Sequence, residues 1–380
     1  MGGQTAAAIA GLGALAVAMG VGRFAFTPLL PLMQEDAGVS LAQGGYLASA
    51  NYFGYLAGAL WAARPARARV AIPAALLAIA ATTLAMGFAH GMTAWLLLRF
   101  LAGVASAWAL VHVSSWCLER LAPSGRPILA GVLFSGVGVG ILLAGGVCLA
   151  LMSAGAGSSR TWIVLGLASL LVTAAVWPIL GSDDGRRTPR QERAAYVWTG
   201  DALRLVLCYG AFGFGYIIPA TFVPVMAKRI VEDPAVFGWA WPMLGLAAAA
   251  STLAAAAWLP RLGNRRLWSL AAFAMAGGVA APIFIPGIAG VGAAAVLVGG
   301  TFMVITMAGM QEARRIGGVH AAALMAAMTA SFAAGQIAGP LLVSYLVQAQ
   351  GGFSATLAAA SALLVLSAVA LVSKEKPCPT

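Results

Sequence analysis

Apolar runs of about 20 residues follow one another along most of the chain, with short polar stretches between them. A helix of that length spans a bilayer and satisfies its own backbone hydrogen bonds there. Charged residues make up only 9% of the 380 residues, too few for a soluble surface. The sequence therefore predicts an all-α membrane protein in a lipid bilayer. Its twelve predicted transmembrane helices cover residues 5–31, 41–63, 70–89, 94–117, 127–152, 161–181, 202–226, 236–258, 267–286, 289–311, 321–348 and 353–373.

A motif in the first predicted helix returns in the seventh, about half a chain later. A duplicated half in a very apolar protein predicts a transporter made of two pseudo-symmetric six-helix bundles. We assign residues 1–181 and 202–380 to the bundles and residues 182–201 to a polar linker. One position breaks the repeat, because Arg23 becomes Tyr216. The matching pieces are Gly22-Arg23, Pro31-Leu32-Met33 and Glu35-Asp36 against Gly215-Tyr216, Pro224-Val225-Met226 and Glu232-Asp233.

Basic residues are concentrated on one set of loops. Seventeen Lys or Arg residues lie on the even-numbered loops and the C-terminal segment, against Arg160, Lys228 and Arg229 on the odd-numbered loops. The positive-inside rule then places both termini and the linker in the cytoplasm, and we expect a monomer in a bacterial inner membrane. The net charge of +11 does not indicate nucleic-acid binding, because the basic residues are scattered.

The sequence contains no motif for a zinc enzyme, a nucleophilic serine or a phosphate-binding loop. The four cysteines have no metal-ligand spacing. We therefore predict no enzymatic activity, no cofactor and no metal.

Three ionisable side chains fall at membrane depth in the predicted helices: Arg23, Arg99 and His112. Such a residue costs about 2.5–3.5 kcal/mol on insertion scales, so it is a candidate for function. No Asp or Glu is predicted at mid-membrane to neutralise Arg23. Our hypothesis is that an anionic substrate is its counter-ion, held by the planar guanidinium. The alternative is that Arg23 bonds to helix carbonyls or extends toward the membrane surface.

His112 is the predicted in-membrane group that titrates near neutrality, so it is a candidate proton relay. The alternative is a packed histidine with one hydrogen bond. The other candidates for the substrate site are uncharged hydrogen-bonding or aromatic residues at mid-depth: Asn51, Tyr52, Tyr55, Trp108, Tyr216 and Gln336. The tryptophans near helix ends are predicted to lie in the interfacial aromatic belts instead: Trp95, Trp162, Trp239 and Trp241.

Three segments carry a family resemblance: Val21-Gly22-Arg23-Phe24-Ala25-Phe26-Thr27-Pro28-Leu29-Leu30-Pro31-Leu32-Met33, Ala48-Ser49-Ala50-Asn51-Tyr52-Phe53-Gly54-Tyr55-Leu56-Ala57-Gly58 and Gly335-Gln336-Ile337-Ala338-Gly339-Pro340. Through these segments the chain resembles the YbfB/YjiJ-type branch of the major facilitator superfamily, along essentially its whole length. The resemblance implies secondary transport by alternating access through a central cavity. Arg99-x-x-x-Gly103 resembles the superfamily's fourth-helix motif, which implies that Arg99 braces the first helix; direct ligand contact is the alternative.

The chain departs from the superfamily in the loop after the second helix, where Ala62 replaces the usual acid. The related loop of the second half also lacks that acid. A cytoplasmic gate built on that Asp is therefore not expected. The arginines assigned to the gate loops are Arg64, Arg67 and Arg69 in the first half and Arg261, Arg265 and Arg266 in the second.

We therefore predict a secondary transporter of a small organic anion, with proton coupling as a further hypothesis. The first alternative is an efflux pump for neutral or lipophilic compounds. Methionines at helical spacing, Met303, Met307 and Met310, suit an adaptable surface for such compounds, although methionines at this spacing more often simply pack in a core. The second alternative is a membrane scaffold that binds no solute. Arg23 separates these functions, because anion transport needs it and lipophilic efflux does not.

Overall fold

All regular structure in the described residues is helical. The computed structural model describes residues 2–64, 66–180, 198–228, 234–350 and 354–372. A π-helical segment, Ala16–Phe24, joins the first two helices. The helices are α1 (Gly3–Leu15), α2 (Phe26–Asp36), α3 (Leu41–Ala62), α4 (Ala68–Phe88), α5 (Met92–Leu121), α6 (Ile128–Ser153), α7 (Ser158–Leu180), α8 (Gly200–Lys228), α9 (Pro234–Phe284), α10 (Gly287–Gly317), α11 (Ala321–Gln350) and α12 (Ser354–Val372).

The first predicted helix corresponds to α1, the π segment and α2 together, and it continues to Asp36, past its predicted end at residue 31. The predicted eighth and ninth helices both lie in α9, which is interrupted where Gly263 takes a left-handed φ of 74°. Glu232, Asp233 and residues 182–197 of the predicted linker lie outside the described residues.

Ten stretches of the described residues are long and apolar enough to cross a membrane. One of them, Gly287–Gly339, includes α10 and much of α11. The helix α3 is not among the ten; it carries the polar residues Gln43, Ser49 and Asn51. An all-helical membrane fold is confirmed, and the count of twelve transmembrane helices stays a prediction.

Glycines bring helix backbones into direct contact. On α3, Gly54 and Gly58 face the backbone of α5 at Phe100 and Val104. On α6, Gly136 and Gly140 face the first rod, which consists of α1, the π segment and α2, at Leu12 and Ala16. A second set on α6 faces the first part of α9, which belongs to the other half of the chain: Gly131 meets Ala256, Gly138 meets Ala249 and Gly145 meets Pro242. Small residues allow such close approach, so α6 joins both halves.

The far end of the first rod is tied to α7 by a carboxylate. Asp36 accepts a hydrogen bond from the Ser158 backbone N–H at 2.5 Å and another from the Ser158 hydroxyl at 2.8 Å. Ser158 is the first residue of α7, where backbone N–H groups lack helical partners. Asp36 therefore acts as a helix cap supplied from another element.

Replacing Gly58 by Ala would place a β-carbon 2.7 Å from the Cα atom of Val104, on a backbone that cannot rotate away. We expect a lower melting temperature in detergent, corresponding to about 1–3 kcal/mol of lost stability. Gly45 lies on the same helix with nothing within 4 Å of its virtual β-carbon. Gly45→Ala should be neutral or stabilising by up to about 1 kcal/mol. Equal melting temperatures for the two variants would contradict close packing of α3 on α5.

Candidate functional site

The π segment leaves backbone carbonyls that other helices satisfy. In a π-helix the carbonyl of Arg23 would accept from residue 28, but Pro28 has no N–H. Arg99 on α5 donates from Nη2 to this carbonyl and from Nη1 to the Gly22 carbonyl, each at 3.3 Å. Asn51 on α3 donates to the carbonyls of Gly22 and Arg99, at 3.4 and 3.0 Å. Arg99 and Asn51 therefore brace the backbone that carries Arg23.

The Arg23 side chain is buried, with 4% of its surface exposed, and none of the described carboxylates forms an ion pair with it. Its Nη2 atom donates to Oε1 of Gln336 on α11. The ring of Tyr55 lies 4.2 Å from the guanidinium carbon, and the rings of Tyr52, Phe24 and Phe332 lie 5.5–5.6 Å from it. Cation–π attraction to these rings stabilises the charge in part.

A cavity of about 50 Å³ opens beside this guanidinium. Five of the predicted substrate-site residues line it, and they come from both halves of the chain: Arg23, Tyr52, Arg99, Tyr216 and Gln336. The rest of the wall is mostly aromatic or aliphatic, and consists of Phe24, Phe26, Thr27, Ala48, Ile217, Ala220 and Trp241.

Several buried side-chain nitrogens around the cavity have no hydrogen-bond partner: Nε and Nη1 of Arg23, Nε of Arg99, Nε2 of Gln336 and Nε1 of Trp241. Each is a donor. The Gln336 amide is oriented by Arg23, because a guanidinium only donates and so must face the amide oxygen. No described cavity-lining residue has a buried side-chain oxygen without a partner. The buried side-chain groups without partners at the site are therefore all donors.

Three predicted site residues do not line the cavity. Asn51 belongs to the backbone brace, and Tyr55 packs on the guanidinium of Arg23. The Trp108 ring lies 4.0 Å from that of Trp61 and 5.7 Å from that of His112. His112 is buried, and it lies about 20 Å further along α5 than Arg99, at about 1.5 Å per residue. The proton-relay candidate is thus remote from the cavity.

Trp241 is a cavity residue that sequence reasoning missed. We predicted an interfacial position because it lies near a helix end, but it lines the cavity beside Phe24, whose ring centroid is 6.4 Å away. Trp239 is 61% exposed, as expected for the aromatic belt. Residues two positions apart on a helix point about 200° apart, so Trp239 and Trp241 face opposite sides of α9. The helical period is the sequence signal that could have placed Trp241 at the cavity.

The methionine run does not form an adaptable surface. Met303, Met307 and Met310 are fully or almost fully buried in the main hydrophobic core and are absent from the cavity wall. Their burial supports the packing alternative and not a lipophilic binding surface, because that face of α10 packs against neighbouring helices.

Comparison with known proteins identifies the family. Residues 15–372 match the family described as "Uncharacterised MFS-type transporter YbfB". The chain belongs to this family. It is therefore a major facilitator transporter, embedded in a membrane by several helices, with a small-molecule substrate. A search of curated proteins found no match.

Solved structures share the transporter's fold. The human organic anion transporter MFSD10 (TETRAN) superposes with a TM-score of 0.75 at 15% identity, covering 98% of this chain and 100% of that one. The major facilitator transporter FucP, in the outward conformation, gives a TM-score of 0.71 at 13% identity, covering 96% and 97%.

The arginines assigned to the transporter's gate loops separate into two groups. Arg265 is buried: it donates from Nε to Glu312 at 2.5 Å, from Nη1 to Asp201 at 3.0 Å and from Nη2 to Asp201 again. Arg315 also pairs with Glu312, at 2.7 Å. The acids come from α8 and α10, so a search for an acid within the loop could not find them. The other five arginines are exposed: Arg64, Arg67, Arg69, Arg261 and Arg266.

Replacing Glu312 by Ala should strongly destabilise the transporter, because the buried Arg265 would lose a carboxylate partner. Removing one partner of a buried pair costs about 3–5 kcal/mol. Glu119, the acid near the end of α5, is exposed, so Glu119→Ala should change stability by less than about 0.5 kcal/mol. Melting temperatures in detergent test both. Similar values for Glu312→Ala and the wild type would show that the ion cluster does not hold α8, α9 and α10 together.

Proposed function

We propose that this transporter carries a small organic anion and that Arg23 binds the anionic group. The observation that carries the proposal is the set of buried donors without partners around the cavity, on Arg23, Gln336 and Trp241. A carboxylate accepts hydrogen bonds only, so it complements this set. Hydrogen bonds between ionised groups are also stronger than neutral ones.

The electrostatics of the site support an anion. A guanidinium buried among rings, without a carboxylate, keeps a net positive charge at membrane depth. The aromatic faces stabilise it by about 0.5–2 kcal/mol, less than the cost of removing a charge from water. The cavity of about 50 Å³ fits the carboxylate group of a substrate, and it would have to widen to take the rest of a larger molecule.

The aromatic wall favours a second function, the export of lipophilic compounds. Phe24, Phe26, Tyr52, Tyr216 and Trp241 line the same cavity and would contact an apolar solute. This function gives no role to the donors without partners, and we therefore prefer the anion. A lipophilic solute would bind equally well without Arg23.

We propose further that transport follows alternating access between the halves at 1–181 and 202–380. Both halves contribute to the cavity wall, which supports a central site between them. Placing both termini in the cytoplasm of a bacterial inner membrane rests on the loop charges, and the monomeric state is likewise proposed. Proton coupling through His112 is a further proposal: its Nε2 atom has no partner, but the residue is remote from the cavity.

The test is binding to purified protein, using thermal shift with carboxylates, phosphates and lipophilic drugs at two pH values. Arg23→Ala should abolish carboxylate stabilisation, because hydrogen bonds to a charged group contribute about 1.5–3 kcal/mol each. Arg23→Lys should retain part of it, since the charge remains without the planar donor set. The control is Arg126→Ala, at an exposed arginine outside the cavity. Unchanged carboxylate binding in both Arg23 variants would refute the proposal, and drug binding alone would favour lipophilic export.

A further inference from the structure

We propose that Trp241 is a substrate-binding residue. Its indole N–H and the Nε2 group of Gln336 bind the anion from the second half of the chain, and Arg23 binds it from the first half. The inference rests on the proposed function. It also narrows the substrate class to a carboxylate with one negative charge and an apolar body.

Trp241 meets the conditions for a ligand-binding donor. It lies in the first part of α9 and lines the cavity that Arg23 lines. Its Nε1 atom is buried and has no hydrogen-bond partner. A buried donor without a partner is costly unless something occupies its site. The indole ring packs against the Phe24 ring of the cavity wall, with the ring centroids 6.4 Å apart.

Gln336 is oriented to act with Trp241. Its Oε1 atom is fixed on Nη2 of Arg23, so its Nε2 group is the part of the amide left to donate. The side chain is fully buried. An acceptor-only ligand in the cavity would complete the bonding of both groups, and it would then connect the two halves.

The number of guanidinium groups with a terminal nitrogen free to bind a ligand indicates how many carboxylates the site can hold. Both terminal nitrogens of Arg99 donate to backbone carbonyls of the first rod, and its guanidinium faces the Phe26 ring at 4.7 Å. Arg23 is thus the cavity arginine with a terminal nitrogen free of a partner. One guanidinium with a free terminal nitrogen can bind one carboxylate. The aromatic wall around it suits an apolar body better than a second charged group.

The experiment measures calorimetric binding of benzoate, and of benzamide as its neutral analogue, to the full-length protein. Trp241→Phe keeps an aromatic ring and removes the N–H. We expect it to weaken benzoate binding about tenfold, the loss of one hydrogen bond to a charged group, and to leave benzamide binding unchanged. Trp268→Phe is the matched control: Trp268 is also buried with an Nε1 atom without a partner, but it packs on Tyr209, away from the cavity. It should bind both compounds like the wild type.

Gln336→Glu provides an independent variant, because it places a carboxylate on Arg23 and should abolish benzoate binding. Succinate tests the charge class and should bind at least tenfold more weakly than benzoate.

Wild-type benzoate affinity in Trp241→Phe, or equal loss in Trp268→Phe, would overturn the role of Trp241 while leaving the anion function intact. Tighter binding of succinate would overturn the substrate class. Wild-type protein that binds neither anion would refute the proposed function and this inference together.

Discussion

A positive charge buried with no carboxylate partner among the described residues is the constraint around which the centre of this transporter is arranged. Arg23 has aromatic faces on several sides, it donates to the amide oxygen of Gln336, and the Tyr55 side chain lies against it. Rings attract a guanidinium without neutralising it, so the site keeps its electropositive character. Another buried arginine, Arg265, has direct carboxylate partners instead, Asp201 and Glu312. The contrast separates an arginine that fixes structure from one that is available to a ligand.

The position of Arg23 depends on an irregular backbone held by other helices. The π segment has carbonyls that its own helix does not satisfy, and Arg99 and Asn51 donate to them. Removing these donors would leave buried carbonyls without partners, and the backbone that carries Arg23 would lose its support. The brace and the proposed binding residue therefore form one unit.

Much of the site could be predicted from local sequence. The repeat pointed to Arg23 and Tyr216, and helix depth pointed to Tyr52, Arg99 and Gln336, all of which line the cavity. The remainder depends on contacts between distant segments. Arg23 and Gln336 are 313 residues apart in the chain, and Asp201 and Glu312 reach Arg265 from two other helices. The donors that brace the π segment are equally hidden, because Asn51 and Arg99 come from α3 and α5.

Trp241 shows where a general rule failed. Tryptophan near a helix end is usually interfacial, and Trp239 follows that rule with 61% of its surface exposed. Trp241 faces inward because the helix turns by about 100° per residue. Trp241 thus adds a hydrogen-bond donor to the cavity from the second half of the chain. The repeat alone does not indicate this donor.

A crystal structure of the full-length protein with 4-bromobenzoate, located by the anomalous signal of bromine, would show directly whether Arg23 binds an anion. We expect the carboxylate within hydrogen-bond distance of Arg23, with the bromine toward the aromatic wall near Trp241. An anomalous peak elsewhere, with Arg23 bonded to Gln336 and no density beside it, would show that Arg23 does not bind the anion.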